Sequence, residues 1–451
     1  MKKNTIRKGI SLSQMQVIAI GFAVIILVGT LLLMLPVSTR SGKSTTFIGA
    51  LLTSTSASCV TGLIAYDTFS HWTLFGQLVI LGLIQLGGLG FMTFNVMFLI
   101  IFKKNIGLKT RSLVKESVSA MQYGGIVRLV HLILKGTVII ELTGAALLSV
   151  RFVPMFGLIK GTYYSLFHSI SAFCNAGFDL MGCFGEYSSL VNFAQDGYVT
   201  IVISALIVIG GLGFIVWEDM LDKKLDFKRY RLHSKLVLVT TAVLIAVSTL
   251  IFFLLENNNT LADFSMPGKI YASLFDAVTP RTAGFNTTDT ASLSNGSKIL
   301  TMILMLIGGS PGSTAGGIKT TTLAVMIIFA LSGLTNASGC NVFGRRIDDE
   351  DIKKASRVIF INMTLAIAAA VAICGMQPYL NMSDILFEVF SAIGTAGMST
   401  GVTRQLSTGA MVIISLLMYM GRIGSMTFGL SFLEKRSKTP VIFPVEKINI
   451  G

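Results

Sequence analysis

Strongly apolar runs alternate along this chain with short amphipathic stretches that end at a glycine. The apolar runs include Val17–Leu35, Leu74–Phe102, Val199–Val216, Leu236–Leu255, Ile299–Ile307 and Met411–Met420. A helix needs roughly 20 residues to span a hydrocarbon core of about 30 Å. The pattern therefore predicts an all-α polytopic membrane protein. The short stretches, Thr46–Ser58, Tyr163–Phe173, Ile270–Thr279 and Asp384–Ile393, are too brief to cross. They are predicted to dip in and return, which backbone tolerates only where protein buries it or it lines water.

Each short stretch ends the same way. The turns read Val60-Thr61-Gly62, Asn175-Ala176-Gly177, Thr282-Ala283-Gly284 and Thr395-Ala396-Gly397, with glycines 115, 107 and 113 residues apart. A unit of about a quarter of the chain thus recurs four times. The fold predicted is four pseudo-symmetric helix–pore-loop–helix repeats around one central ion pore. The boundaries are 13–105, 125–222, 230–335 and 351–434, between a cytoplasmic N-terminus at 1–12 and a C-terminal tail at 435–451. Each short helix would aim its C-terminal end, carrying about half a negative charge, at a shared axis, which favours a cation. Four turns whose carbonyls ring that axis could replace an alkali ion's water shell. These twelve residues are the candidate selectivity filter.

A second column recurs in the returning helices. It reads Gly87–Gly90, Gly210–Gly213, Gly308-Gly309-Ser310-Pro311-Gly312 and Gly421-Arg422-Ile423-Gly424, beginning 25, 33, 24 and 24 residues after the turn glycines. Glycines there permit close helix packing and leave room for a cavity. In the third quarter the column runs on through Ser313, Thr314, Ala315, Gly316 and Gly317. Proline removes a helix bond and each glycine costs about 1 kcal/mol relative to alanine, so this helix is predicted to unwind. An unwound, hydroxyl-rich stretch beneath a filter is placed to act as a gate. Arg422, where the other quarters have Gly88, Gly211 and Gly309, is expected to face that stretch, because burying an arginine in lipid costs at least about 2.5 kcal/mol. For Lys319 two readings stand, a share in that role or a reach to the interface. Arg281 is read as structural, bracing the third turn against a carboxylate such as Asp276.

Charge changes the picture little. Only 13% of the 451 residues are charged, 52% are hydrophobic, and mean hydropathy is +0.74. Of 36 Lys and Arg, 25 fall at the N-terminus, 103–128, 223–235, 345–357 and the tail. If every quarter crosses an even number of times, these lie on one side, and the positive-inside rule makes it the cytoplasm. The net charge of +14 thus reflects topology rather than nucleic-acid binding. The first span lacks a cleavage site and reads as retained. Five cysteines form no CxxC pair, and Cys174 and Cys183 could bridge outside without anything requiring it. His71, His131, His168 and His233 have no metal-ligand spacing, so no enzyme is expected. The main alternative is a sodium- or proton-coupled secondary transporter of a small solute or cation. Against it, the repeats share one orientation and acidic residues within spans are scarce, Glu141 being the main one.

The four single-glycine turns, the stretch Gly308–Thr320 and Arg422 together resemble the superfamily of potassium transporters that comprises the Trk, Ktr and HKT proteins. The resemblance runs from first span to last and is nearest to the Ktr-type membrane subunit, since the extra N-terminal helices of Trk subunits are lacking. It implies that the turn glycines line a potassium filter, with glycine at the first turn favouring potassium over sodium. It implies an intramembrane gate at the broken helix, opposed by Arg422. It further implies a homodimer in a bacterial plasma membrane, both termini cytoplasmic, seated on an octameric cytosolic ring of KtrA- or KtrC-like proteins. ATP or ADP would belong to that ring, since no phosphate-binding motif occurs here, and the chain itself would carry no cofactor. Some members require sodium; no sodium site is assignable. The tail would reach a dimer or ring contact.

Overall fold

The computed structural model describes residues 13–90, 126–224, 226–335 and 339–424, with 444 and 446. The first return beyond Gly90, most of the basic segment 103–128, the basic N-terminus and nearly all of the tail lie outside the described residues.

Among those described, helices dominate. The first quarter has α1 (Gln14–Met34), α2 (Phe47–Cys59) and α3 (Leu74–Leu89). The second has α4 (Ile126–Phe156), α5 (Leu158–Phe173), α6 (Gly197–Leu212) and α7 (Phe214–Lys223). The third has α8 (Leu232–Glu256), α9 (Met266–Val278), α10 (Asn295–Leu306) and α11 (Thr320–Leu334). A two-residue-per-strand hairpin, β1 (Asn341–Val342) and β2 (Arg345–Arg346), pairs Asn341 with Arg346 and leads to α12 (Asp349–Met376), α13 (Met382–Gly394) and α14 (Thr408–Ile423).

Polar caps start these helices where the apolar pattern begins. Ser13 and Gln16 close a reciprocal capping box at α1, with bonds of 2.9 and 3.2 Å. The hydroxyls of Thr46, Thr73, Ser265, Ser294 and Ser407 accept from backbone N–H groups in the first turns of α2, α3, α9, α10 and α14. Among the described residues four helices are long and apolar enough to cross a membrane, namely the leading helices α1, α4, α8 and α12. Their outward faces stay apolar and exposed, as Leu31, Ile139, Leu254 and Val371 show, which is the pattern of a surface solvated by lipid.

Two expectations change. The second short helix is longer than predicted, beginning at Leu158 rather than Tyr163; α4 runs through Pro154 to Phe156, and only Gly157, at φ 80°, separates it from α5. The returning helices also break in more than one quarter. α6 and α7 meet at a 93° bend on Gly213 rather than carrying the apolar run Val199–Val216 as one helix. Gly90 and Gly424 take the same positive φ, 83° and 94°, at the ends of α3 and α14. In the third quarter the interruption is wider, from Ile307 to Lys319, and a parallel bridge between Ile307 and Ile318 folds it into a loop.

Each return helix packs against the short helix of the next quarter: α3 on α5, α6 on α9, α10 on α13, and α14 back on α2. The circuit closes, so the C-terminal ends of α2, α5, α9 and α13 are brought to one place.

Candidate functional site

The short helices end in a backbone conformation that L-residues adopt only under constraint. Val60, Asn175, Thr282 and Thr395 have φ of 56°, 59°, 75° and 51°, and the glycines two residues on have 101°, 70°, 81° and 86°. The left-handed region costs a non-glycine residue roughly 1–2 kcal/mol, and three of these four are β-branched. Hydrogen bonds hold the strain. The N–H groups of Thr61, Ala176 and Ala396 each donate to a serine carbonyl five residues back (Ser56, Ser171, Ser391), all at 2.8 Å. The third turn is wound one residue tighter, with Ala283 donating to Thr279 O four residues back at 2.9 Å.

The four glycines face one another. A β-carbon at Gly62 would lie 2.8 Å from Ala176 O, one at Gly177 2.6 Å from Ala283 O, and one at Gly284 2.9 Å from Ala396 O. One at Gly397 would overlap Thr61 O and lie 2.9 Å from the Cα of Gly62. Each glycine thus abuts the carbonyl of the following quarter, and the fourth returns to the first. All twelve candidate residues are brought together here, and only backbone fits between neighbouring turns. The side chains of Thr61, Ala176, Thr282, Ala283, Thr395 and Ala396 are fully buried. The hydroxyls of Thr61 and Thr395 have no hydrogen-bond partner. The donor set is neutral oxygen, suited to a hard, weakly bound cation.

The layer formed by the return helices is built differently. The loop from Gly308 to Lys319 is tied to the second quarter: Ser310 N donates to Gly211 O (3.0 Å), Phe214 N to Gly312 O (2.8 Å), and Thr314 Oγ1 to Phe173 O (3.0 Å). Ser310 Oγ and Thr320 Oγ1, 3.0 Å apart, close the loop on itself. Arg422 reaches across. One guanidinium nitrogen donates to Thr314 O, and another to Gly87 O and, at 3.0 Å, Gly88 O. Arg422 therefore joins the fourth quarter to the third-quarter loop and to the first-quarter return helix. Lys319 makes no such crossing, since its Nζ bonds Ala315 O (2.9 Å) and Gly316 O (3.2 Å) of its own loop.

Arg281 departs from expectation. It is buried, but Asp276 accepts instead from the hydroxyls of Thr287 (3.4 Å) and Thr288 (3.1 and 3.2 Å), and Arg281 Nε is unbonded. Among the described residues no carboxylate pairs with it. Glu141 is buried and accepts from Gln85 Nε2 at 3.0 and 3.1 Å. The five cysteines are free, and the described residues hold no cluster of metal-ligating side chains.

A polar position on the short helices escaped the sequence reading. Counted three residues before the carbonyl that caps each turn, it holds Thr53, His168, Asp276 and Glu388. Aligning on the glycines hides it, because the tighter third turn shifts Asp276 by one.

The chain matches the TrkH family, described as a cation transport protein, over residues 12–439. It is 42% identical to the potassium/sodium uptake protein NtpJ of Enterococcus hirae, across all of this chain and 99% of that one. It is 41% identical to the Ktr system potassium uptake protein B of Bacillus subtilis over the full length of both, and 32% identical to protein D of that system over 98% of each. Its fold is similar to that of the potassium transporter TrkH from Vibrio parahaemolyticus, with a TM-score of 0.74 at 16% identity, covering 94% of this chain and 86% of that one. The apolar spans and these full-length matches make this chain a multi-pass membrane protein of the TrkH cation transport family.

Proposed function

We propose that this chain is the potassium-translocating membrane subunit of a Ktr-type uptake system. Potassium passes the ring of Gly62, Gly177, Gly284 and Gly397, whose neighbouring carbonyls replace its water. The observation that carries this reading is the cyclic closure of the turns, each glycine abutting the carbonyl of the next quarter. Such a ring gives four equivalent dipolar oxygens and no fixed charge, so an ion binds and still leaves. The membrane potential supplies about 2.3 kcal/mol per charge per 100 mV, enough to drive uptake. With a single glycine per turn, fewer successive carbonyl rings are available than in a long filter, and discrimination against sodium is modest.

The loop Gly308–Lys319 is the gate, held shut by Arg422. In keeping with the resemblance and with relatives named as parts of a Ktr system, the subunit works as a homodimer on a KtrA- or KtrC-like octameric ring in a bacterial plasma membrane. Nucleotide acts on that ring, and transport responds to sodium. Rubidium uptake into liposomes, with and without the ring protein, tests the whole reading. Uptake that follows the imposed voltage and is competed by potassium supports conduction, whereas a reversal potential tracking a sodium gradient with fixed stoichiometry would establish the coupled transporter instead. Within that assay Gly62→Ser is expected to raise sodium competition about tenfold, the equivalent of ~1.4 kcal/mol.

A further inference from the structure

The polar position shared by the four short helices ties three of them to the chain leaving the ring. Glu388 accepts from the hydroxyl of Ser399 and, at 2.6 Å, from that of Thr403. Asp276 accepts from Thr287 and Thr288. His168 accepts at Nε2 from Leu180 N–H (3.3 Å), which leaves Nδ1–H to donate to Tyr164 O (2.7 Å). In each case the partner lies two to six residues beyond the turn glycine. Thr53 differs: its hydroxyl donates to Gly49 O of its own helix at 2.9 Å. All four side chains are at most 3% exposed. Neither carboxylate has a cation partner among the described residues, so neither is explained by an ion pair.

We propose that Glu388, with Asp276 and His168 at the matching positions, is a specificity-determining positioning residue that fixes the turn carbonyls by clamping the strand leaving each glycine. The inference rests on the filter reading above. A turn held only on its entry side can relax around a smaller ion. Clamping the exit side as well keeps the ring at one radius, because two anchors in series with a strained turn leave it no soft direction. Three quarters have the clamp at this position; in the first the short helix holds the exit side through Ser56, whose Oγ accepts from Gly62 N–H at 2.9 Å.

The experiment is sodium competition against rubidium uptake in liposomes, with uptake scaled to monodisperse protein. Glu388→Leu removes both acceptors, and Glu388→Gln keeps one. Thr403→Val removes one of the same bonds from the other side and serves if Glu388→Leu does not fold. Loss of two buried hydrogen bonds implies roughly a tenfold rise in sodium competition for Glu388→Leu, with Gln and Val between it and the parent. A rise in that order supports the clamp. Unchanged competition in all three, while Gly62→Ser alters it, overturns the clamp and leaves the filter standing. Unchanged competition in Gly62→Ser as well overturns both.

Discussion

In the ring, each quarter supplies one left-handed residue, one carbonyl and one glycine, and their φ values agree within a few tens of degrees. In the layer of return helices, the same four quarters supply Gly88, Gly211, Gly309 and Arg422. There one helix bends through 93°, another opens into a loop of a dozen residues, and a guanidinium bridges three quarters. An ion on an axis sees all quarters alike, so coordination holds them equivalent. Opening and closing a path needs only one moving part and one latch, so the lower layer is free to diverge. On the function proposed, symmetry goes with holding the ion and its loss with controlling passage.

The largest effect is expected where equivalence is tightest. Of the four glycines, Gly397 leaves the least room, since a β-carbon there overlaps Thr61 O, while at Gly284 the nearest atom is 2.9 Å away. Gly397→Ala should abolish rubidium uptake and lower thermal stability by about 2–4 kcal/mol, combining backbone strain with overpacking. Gly284→Ala should lose less of both. Equal losses at the two positions would contradict the unequal spacing of the ring.

Next in size is the latch. Arg422→Ala deletes the bonds to Thr314 O, Gly87 O and Gly88 O and takes a positive charge from the path. Each charge-assisted bond is worth ~1.5–3 kcal/mol, so basal uptake without the ring protein should rise about tenfold or more. Arg422→Lys keeps the charge but not the fork that spans two elements, and so separates tethering from electrostatic exclusion. If lysine restores low basal uptake, charge is the cause; if uptake stays high, the tether is. Deleting Ser310–Gly317 should raise basal uptake as far as Arg422→Ala does, and a closed pore after that deletion would remove the loop from gating.

Much of this was legible in the chain. The turns announce themselves because each packs a glycine at positive φ against the backbone of the next, and the same solution recurs four times. Proline among glycines and hydroxyls foretold the break after Leu306, and the cost of an arginine in lipid foretold its contact with that break. The bend at Gly213 was not legible: Gly-Leu-Gly-Phe inside an apolar run reads equally well as a close-packed helix. The early start of α5, at Leu158 rather than Tyr163, was not legible because Pro154 and Gly157 just before it read as a loop. Arg281 was paired wrongly since Asp276, five residues earlier, reads as a partner on sequence distance, yet its carboxylate is taken by Thr287 and Thr288. The column of Thr53, His168, Asp276 and Glu388 was lost to a one-residue change in turn winding that only hydrogen bonds reveal.

The smallest effect should come from Lys319. It sits in the divergent layer, four residues from Ala315, and carries the same charge as Arg422, though the sequence also allows it to reach the interface. Geometry separates the two. The Lys319 ammonium bonds Ala315 O and Gly316 O within one loop and links no second quarter. Removing it loosens the loop locally without freeing it from Arg422, from Gly211 O or from Phe173 O. Lys319→Ala should therefore raise basal uptake only about twofold, the scale of one or two partly solvated hydrogen bonds. The double variant with Arg422→Ala should depart from simple addition, because the two cations bond adjacent carbonyls of one loop, Thr314 O and Ala315 O. A rise equal to that of Arg422→Ala would mean that stiffness inside the loop, rather than its tether across the axis, keeps the path closed.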